Sequence, residues 1–233
     1  ASDVAGIEIP YEAMFLPQSG SVCPHKLCEY YAQGVRLERN ARISEIIQEG
    51  HYWRINDEMF DAVVLACGVA VKQFSQAEWL PVYTVRGQVA HVESGHISNN
   101  LQTNLCYGGY ISAPFNGSHI AGSTFQKWLG HTDVLDQDNA YILNMVHERM
   151  SSFDDVQHII GARASLRCTN SYRLPIIGTV PNAPNLYIST AHGSHGLVST
   201  IQAAKMICST IQHQVEYEYA LPFSPSKYYE KMR

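Results

Sequence analysis

The segment STAHGSHGLVSTIQAAKMICSTIQ, Ser189–Gln212, places Gly193 and Gly196 between a short apolar stretch and a long run of helical periodicity. A strand that ends in a glycine turn and opens a helix aims several backbone N–H groups at one point. The helix dipole adds about half a positive charge there. Glycines at such a turn let a flat ligand come close to the backbone. The chemistry on offer is the holding of an electron-rich edge. An ordinary strand–helix connection, with glycine present for geometry alone, explains the same residues. His192 and His195 lack the i, i+4 spacing of a helical metal pair and no further ligands accompany them, so no metal is expected. No Ser-His-Asp set and no paired acids on one element stand out.

That turn needs elements to position it. Leu186–Ser189 reads as a short buried strand leading into it. Leu197, Val198, Ile201, Ala204 and Ile207 make the following helix apolar enough to be buried. DAVVLACG, Asp61–Gly68, is a continuous apolar run ending in glycine, the pattern of a central parallel strand covered on both faces. Pro24–Ala32 carries Leu27, Tyr30 and Tyr31 at helical spacing behind a proline suited to a first turn. GVRLERNARISEIIQEG alternates at Val35, Leu37, Ile43 and Ile46 and reads as strand, with HYWRIN beyond Gly50 completing a hairpin.

From Leu80 the texture changes. LPVYTVRGQVAHVE alternates, and NLCYGGYISAPF, SHIAGSTF and VQHIIGARASLR are further strand-like pieces. VLDQDNAYILNMVHERMSSF holds an amphipathic helix, with Ala140, Ile142, Leu143, Met145 and Val146 on its apolar side and Asp138 as its expected cap. The fold class is therefore α/β combined with α+β. Residues 1–79 and 167–215 form one part, 80–166 an inserted antiparallel unit, and 216–233 a Pro/Ser-rich tail.

Bulk properties narrow the function. The chain has 233 residues, 45% hydrophobic and 16% charged, which fits a globular protein with a sizeable core. Its net charge of −5 speaks against a free-standing nucleic-acid binder, though it leaves room for a local basic patch. Cys23, Cys28, Cys67, Cys106, Cys168 and Cys208 form no C-x-x-C pair and match no zinc spacing. They read as reduced thiols, mostly filling the core of a cytoplasmic protein. No apolar run approaches the length of a membrane span. The opening ASDVAGIEIPYEAMFLPQSG has neither the basic nor the apolar region of a signal peptide and no initiator Met, so it reads as the middle of a longer protein.

Taken in order, DAVVLACG, LPVYTVRGQVAHVE, NLCYGGYISAP, SLRCTNSYRLPIIGTVP and GSHGL resemble the D-amino-acid-oxidase/glycine-oxidase superfamily of FAD enzymes. That family carries a G-x-R-P-x-T-x-D-x-x-P-x-I-G stretch, then a strand, then a G-H-x-x-x-G turn. Within it the chain most resembles the oxidoreductase half of the bifunctional enzymes that build 5-methylaminomethyl-2-thiouridine in tRNA. Cys168 stands where the wider superfamily has Pro, and Tyr172 where it has Asp. The family's strand–G-x-G-x-x-G–helix, which cradles a pyrophosphate, has no match.

The resemblance implies part of a glutathione-reductase-like FAD-binding domain with an antiparallel-sheet substrate domain. It implies FAD as cofactor and tRNA as partner, with a methyltransferase domain elsewhere in the parent protein and no membrane. The implied reaction oxidises the carboxymethylaminomethyl group of a wobble 2-thiouridine to aminomethyl. A small-molecule amine or amino-acid oxidase of glycine or sarcosine type, and a non-catalytic fragment without flavin, are the alternatives. Lacking a match to the pyrophosphate loop, the chain alone is expected to hold FAD weakly or not at all.

Residue roles follow by match. Gly193, Ser194, His195, Gly196, Leu197 and Val198 would meet the pyrimidine edge of the flavin, where a helix N-terminus stabilises negative charge. Ile43 would pack at the adenine, and Cys67 and Gly68 would lie at the strand end under the dinucleotide. Arg167 would bind the substrate carboxylate, because a guanidinium fork fixes both position and charge; a surface ion pair is the alternative. Gln88 would face the flavin ring, with Arg86 pointing to the other side of the strand. Tyr107 and Tyr110, flanking a glycine pair, would line the substrate cavity or simply pack. Arg163 is a weaker candidate.

Overall fold

The computed structural model describes residues 1–150, 153, 155, 156, 158–213 and 218–230. Among them the chain forms, in order, α1 (Ser2–Ala5), α2 (Pro24–Tyr31), β1 (Ile47–Glu49), β2 (Tyr52–Ile55), β3 (Glu58–Phe60) and β4 (Val63–Leu65). Then come β5 (Tyr83–Glu93), β6 (Leu105–Cys106), β7 (Tyr110–Ile111), β8 (Ser118–Gly122), α3 (Asp136–Arg149) and β9 (Ile159–Thr169). The last elements are β10 (Ile176–Thr179), β11 (Leu186–Thr190), α4 (Gly196–His213) and α5 (Ser226–Tyr229). Residues 1–31 and 85–166 make one compact unit, and 32–84 and 167–233 a second. No helix among the described residues is long and apolar enough to cross a membrane.

The first unit is built on a sheet of order β6-β7-β8-β5-β9. Alternation in β5 sends Ala90 and Val92 to a buried face, where Ala121 of β8 and Ile111 of β7 join them. The apolar stripe of α3, Ile142 and Val146, belongs to the same core. The register Val89↔Gly122 to Glu93↔Ser118 makes β5 and β8 antiparallel, the arrangement expected of this region. The N-terminal stretch belongs here rather than with 32–79: Ala5 and Ile7 are buried in this core, and Gln102 N–H donates to Ala5 O at 2.8 Å.

Polar side chains also fasten α3 to β5. Arg86 is fully buried, and its guanidinium donates to Gln126 Oε1, Asp138 Oδ2 and Asp133 O, and to Gln88 Oε1 at 2.9 Å. Gln126 Nε2 donates to Asp138 Oδ1 at 2.8 Å, so both carboxylate oxygens are satisfied. Gln88 Nε2 donates to Leu135 O and Asn139 Oδ1 at 2.8 and 2.7 Å. Two expectations are corrected here. Asp138 is not the cap: the helix begins at Asp136, and Asp138 is held by Arg86 and Gln126. Arg86 and Gln88 do not point to opposite sides, because residues two apart on a strand share a face.

The second unit has two sheets. In β1-β2-β3 all pairings are antiparallel, and Trp53 Nε1 donates to Pro184 O at 2.8 Å, pinning this sheet to the turn before β11. The other sheet has the order β10-β11-β4, with β11 parallel to β4 (Leu186↔Val63, Ile188↔Leu65) and antiparallel to β10. The parallel pairing is as expected, but β4 ends the sheet order instead of lying at its centre. Val63 and Leu65 are buried while Val64 is 41% exposed, so one face alone is covered.

The segment 34–46 is not a strand. Asn40 takes a positive φ of 59°, and Arg36 is drawn into ion pairs with Glu38 and Glu58; Ile46 is buried in the core and Ile43 packs against it. Nor is the C-terminal stretch a tail: Tyr228 of α5 is buried in the same core as Trp53 and Leu186. Residues 216, 217 and 231–233 of that stretch lie outside the described residues, as do 151, 152 and 157 of the segments read above as helix and strand.

Replacing Arg86 by Ala strips Asp138 of its counter-charge inside a buried network. Removing one partner of a buried pair costs about 3–5 kcal/mol. Chemical denaturation should show a loss of that size for Arg86→Ala; a loss within the range of surface substitutions would mean that the network does not hold α3 in place.

Candidate functional site

The end of β11 turns into α4 within a few residues. Ala191 (φ 59°) and Gly193 (φ 57°) both take left-handed backbone, and a single 3-10 turn, Gly193–His195, leads into the helix. For Ala191 that conformation is a strain of about 1–2 kcal/mol. His192 holds the turn. Its Nε2 lies 3.0 Å from Ser189 Oγ at the end of β11, and its Nδ1 lies 2.8 Å from Ser199 Oγ in the first turns of α4. Ser199 Oγ donates to His195 O at 2.9 Å, so it accepts from His192. The proton therefore sits on Nδ1, and Ser189 donates to Nε2. Burial pushes the His192 pKa down, in keeping with a neutral ring.

No side chain caps the start of this helical segment. His195 N–H is already taken by His192 O, so the amides without an intrahelical partner are those that open the 3-10 turn before it. Leu197 and Val198 are 47% and 78% exposed beside them, and Ile201 and Ala204 are exposed too, contrary to the expected burial. The buried stripe of α4 is Ala203, Met206 and Ile207, packed with Ile177 and Tyr187 of β10 and β11.

The ends of β4 and β9 come to the same place. Thr190, buried at the last position of β11, donates to Gly68 O at 2.9 Å. Its Oγ1 lies 3.5 Å from Cys168 Sγ, where the thiol must then be the donor. A Cβ on Gly68 would stand 3.7 Å from Cys168 Cβ, and one on Gly193 would stand 3.5 Å from Thr169 Oγ1. So Cys67–Gly68, Cys168–Thr169 and the Gly193 turn are neighbours. Along β9, Cys168 faces the core, and Arg167 shares the opposite face with Thr169, at the strand spacing of about 6.5 Å. Arg167 is half-buried. Ile43 packs against the core of this unit, and burial pushes the Cys67 thiol up, which keeps it protonated at neutral pH.

Gln88, Tyr107 and Tyr110 belong to the other unit. The Gln88 amide is engaged at both ends by Arg86, Leu135 and Asn139, which leaves it no atom for a ring and corrects its assignment. Tyr107 and Tyr110 flank a hairpin that only glycine permits, since a Cβ on Gly109 would stand 2.7 Å from Gly122 O. The Tyr107 hydroxyl is buried without a partner among the described residues, and burial pushes its pKa up. Arg163 is exposed on β9. Sequence reasoning missed Ser189, Thr190 and Ser199. The nearest signal was Ser199 itself, four residues after His195, the spacing at which a helical serine bonds back to a carbonyl.

Two outcomes follow. An imidazole whose pKa is lowered in the folded state contributes stability that is full above its ordinary value near 6.5 and is lost as pH falls below it. The melting temperature should drop on acidification from pH 7 toward 5, and His192→Asn should flatten that slope; an unchanged slope would remove the neutral clasp. Gly193→Ala meets ordinary contacts but keeps a left-handed φ, so it should cost about 1–2 kcal/mol in the same denaturation assay.

The chain is similar along most of its length to curated proteins. A tRNA 5-methylaminomethyl-2-thiouridine biosynthesis bifunctional protein MnmC from Methylobacillus flagellatus is 30% identical over 98% of this chain and 40% of its own length. One of the same name from Chromobacterium violaceum is 29% identical over 91% of this chain and 38% of its own. The chain thus spans about 40% of the length of these relatives. Among solved structures, iminodiacetate oxidase from Chelativorans sp. superposes with a TM-score of 0.68 at 20% identity, covering 80% of this chain and 53% of that one. Glycine oxidase from Geobacillus kaustophilus does so with 0.65 at 21%, covering 78% and 51%. These share the fold, mixed α/β with antiparallel sheets. The family model for FAD dependent oxidoreductases (DAO) matches residues 3–210, and the chain belongs to that family.

Proposed function

We propose that this chain forms part of an FAD-dependent oxidoreductase that converts the carboxymethylaminomethyl group on the wobble 2-thiouridine of tRNA to aminomethyl. The observation that carries the reading is the placement of Arg167. It shares a strand face with Thr169, which lies against the uncapped turn at Gly193. The similarity to bifunctional tRNA-modifying proteins over nearly the whole chain supports the substrate.

The residues present fit a flavin ring edge. At Gly193 and Gly196 there is no side chain between backbone and ligand, and the exposed Leu197 and Val198 offer apolar contact to a flat ring. When bound, FAD would supply the acceptor for the hydride taken from the carbon next to nitrogen. The amides that open the 3-10 turn, at the positive end of the helix dipole, would stabilise negative charge at the edge they meet. His192, held neutral between Ser189 and Ser199, ties the end of β11 to the first turns of α4. Cys67, Gly68 and Ile43 are the proposed neighbours of the dinucleotide, on a sheet read as part of a glutathione-reductase-like domain. Arg167 orients the substrate through its carboxylate. Tyr107 and Tyr110 remain proposed lining residues of the substrate unit. In this reading a methyltransferase domain of the parent protein acts on the aminomethyl product, in the cytoplasm.

Arg167→Ala in the full-length, FAD-loaded enzyme should lower kcat/KM for the carboxymethylaminomethyl tRNA by about 30- to 1000-fold, the equivalent of about 2–4 kcal/mol for a lost charged partner. Arg167→Lys should fall between. An unchanged kcat/KM would remove the carboxylate role, and equal turnover of free glycine or iminodiacetate would favour a small-molecule oxidase.

A further inference from the structure

Beyond β9 the chain makes a short loop that the chemistry above does not use. Asn170 is fully buried and holds it together: its Nδ2 donates to Leu174 O at 2.6 Å, its Oδ1 accepts from Tyr172 N–H at 2.9 Å, and its O accepts from Arg173 N–H at 3.1 Å. Arg173 is forced to a φ of 56°, left-handed backbone that arginine seldom adopts. Strain of this kind persists where the surroundings over-determine it, and it gathers at functional sites. The loop directs two side chains outward. Tyr172 is 48% exposed, and Arg173 is exposed.

The Tyr172 ring is not loose. Tyr228, only 4% exposed and part of the core, meets it edge-on with centroids 5.8 Å apart. Lys227 Nζ stands 4.6 Å from the Tyr172 centroid. A fixed, half-exposed aromatic ring thus sits with Lys227 over it and Arg173 next to it in the chain. Charge in the sequence favours the same conclusion. No Asp or Glu occurs between Asp155 and Glu216, a stretch that carries Arg163, Arg167, Arg173 and Lys205 in a chain of net charge −5.

We propose that Tyr172, Arg173 and Lys227 form a contact surface for the RNA of the substrate, with an unstacked base on the Tyr172 ring and phosphates on the two cations. Proteins that read single-stranded RNA loops combine aromatic platforms with cationic contacts in this way. Tyr172 and Arg173 lie on the loop that directly follows Arg167 and Thr169, so one continuous segment, with Lys227 of α5 against it, would hold both the reacting group and the chain that carries it. The inference rests on the tRNA reading of the preceding section.

The test is equilibrium binding of a fluorescent anticodon stem-loop RNA to the full-length, FAD-loaded protein. Tyr172→Ala should weaken binding by about 5- to 100-fold, the range for loss of one stacked base, and Tyr172→Phe should not. Lys227→Gln and Arg173→Asn should each weaken it and lower the slope of log affinity against log salt by about 0.7. Asn suits left-handed backbone, so Arg173→Asn removes the charge without straining the fold. FAD content should be unchanged in all four. Wild-type binding of the RNA with unaltered affinity in the variants would overturn this surface and leave the tRNA reading intact. Absence of RNA binding by the wild type would overturn both. Loss of FAD in place of RNA would reassign the two cations to the cofactor.

Discussion

The second unit depends on how β11 becomes α4. A strand must stop, and a helix must start, inside the five residues from Ala191 to His195. Two left-handed residues accomplish the reversal, and only one of them is glycine. The strain at Ala191 has to be offset locally, and the Ser189–His192–Ser199 chain of hydrogen bonds does this by tying the last strand residues to the first turns of the helix. Everything that gives the region chemical capability follows from that junction. The turn brings Gly193 close enough to Thr169 that β9 is placed beside it, and Arg167 with it. Thr190, one residue before the reversal, ties the loop after β4 to the same point.

A comparable constraint operates in the first unit through a different force. A guanidinium cannot be buried unpaired, and Arg86 is fully buried. Its partners come from β5, from the stretch after β8 and from the start of α3, so satisfying one charge fixes three pieces of chain. Apolar packing of Ile142 and Val146 decides which side of α3 faces the sheet. The polar network decides where along the sheet the helix begins, because Asp138 must reach Arg86 and Gln126 together.

What could be read from the sequence was what short-range periodicity encodes. The alternation of β5, the helical stripe of α3, the apolar run of DAVVLACG and the glycine turn into α4 all depend on residues close together in the chain. The misreadings share a cause. Asp138 looked like a cap because an acid at a helix start usually is one; nothing local reveals that an arginine 52 positions away claims it. Gln88 carried a role from resemblance, yet its amide is consumed within its own unit. The C-terminal Pro/Ser-rich stretch looked like a tail because its burial rests on Tyr228 reaching a core formed by residues far earlier in the chain. Alternation at Val35–Ile46 suggested a strand, but pairing needs a partner ladder, which periodicity cannot supply.

The same distinction bears on electrostatics. A net charge of −5 describes the chain as a whole and speaks against a general affinity for polyanions. A ligand, however, meets a local field, and screening limits that field to about 8–10 Å in physiological salt. The acidic side chains fall outside the stretch from β9 through α4, which includes Arg167, Arg173 and the positive end of the helix dipole at Gly193. That stretch of chain brings no carboxylate of its own to repel an anionic group, even in an acidic protein.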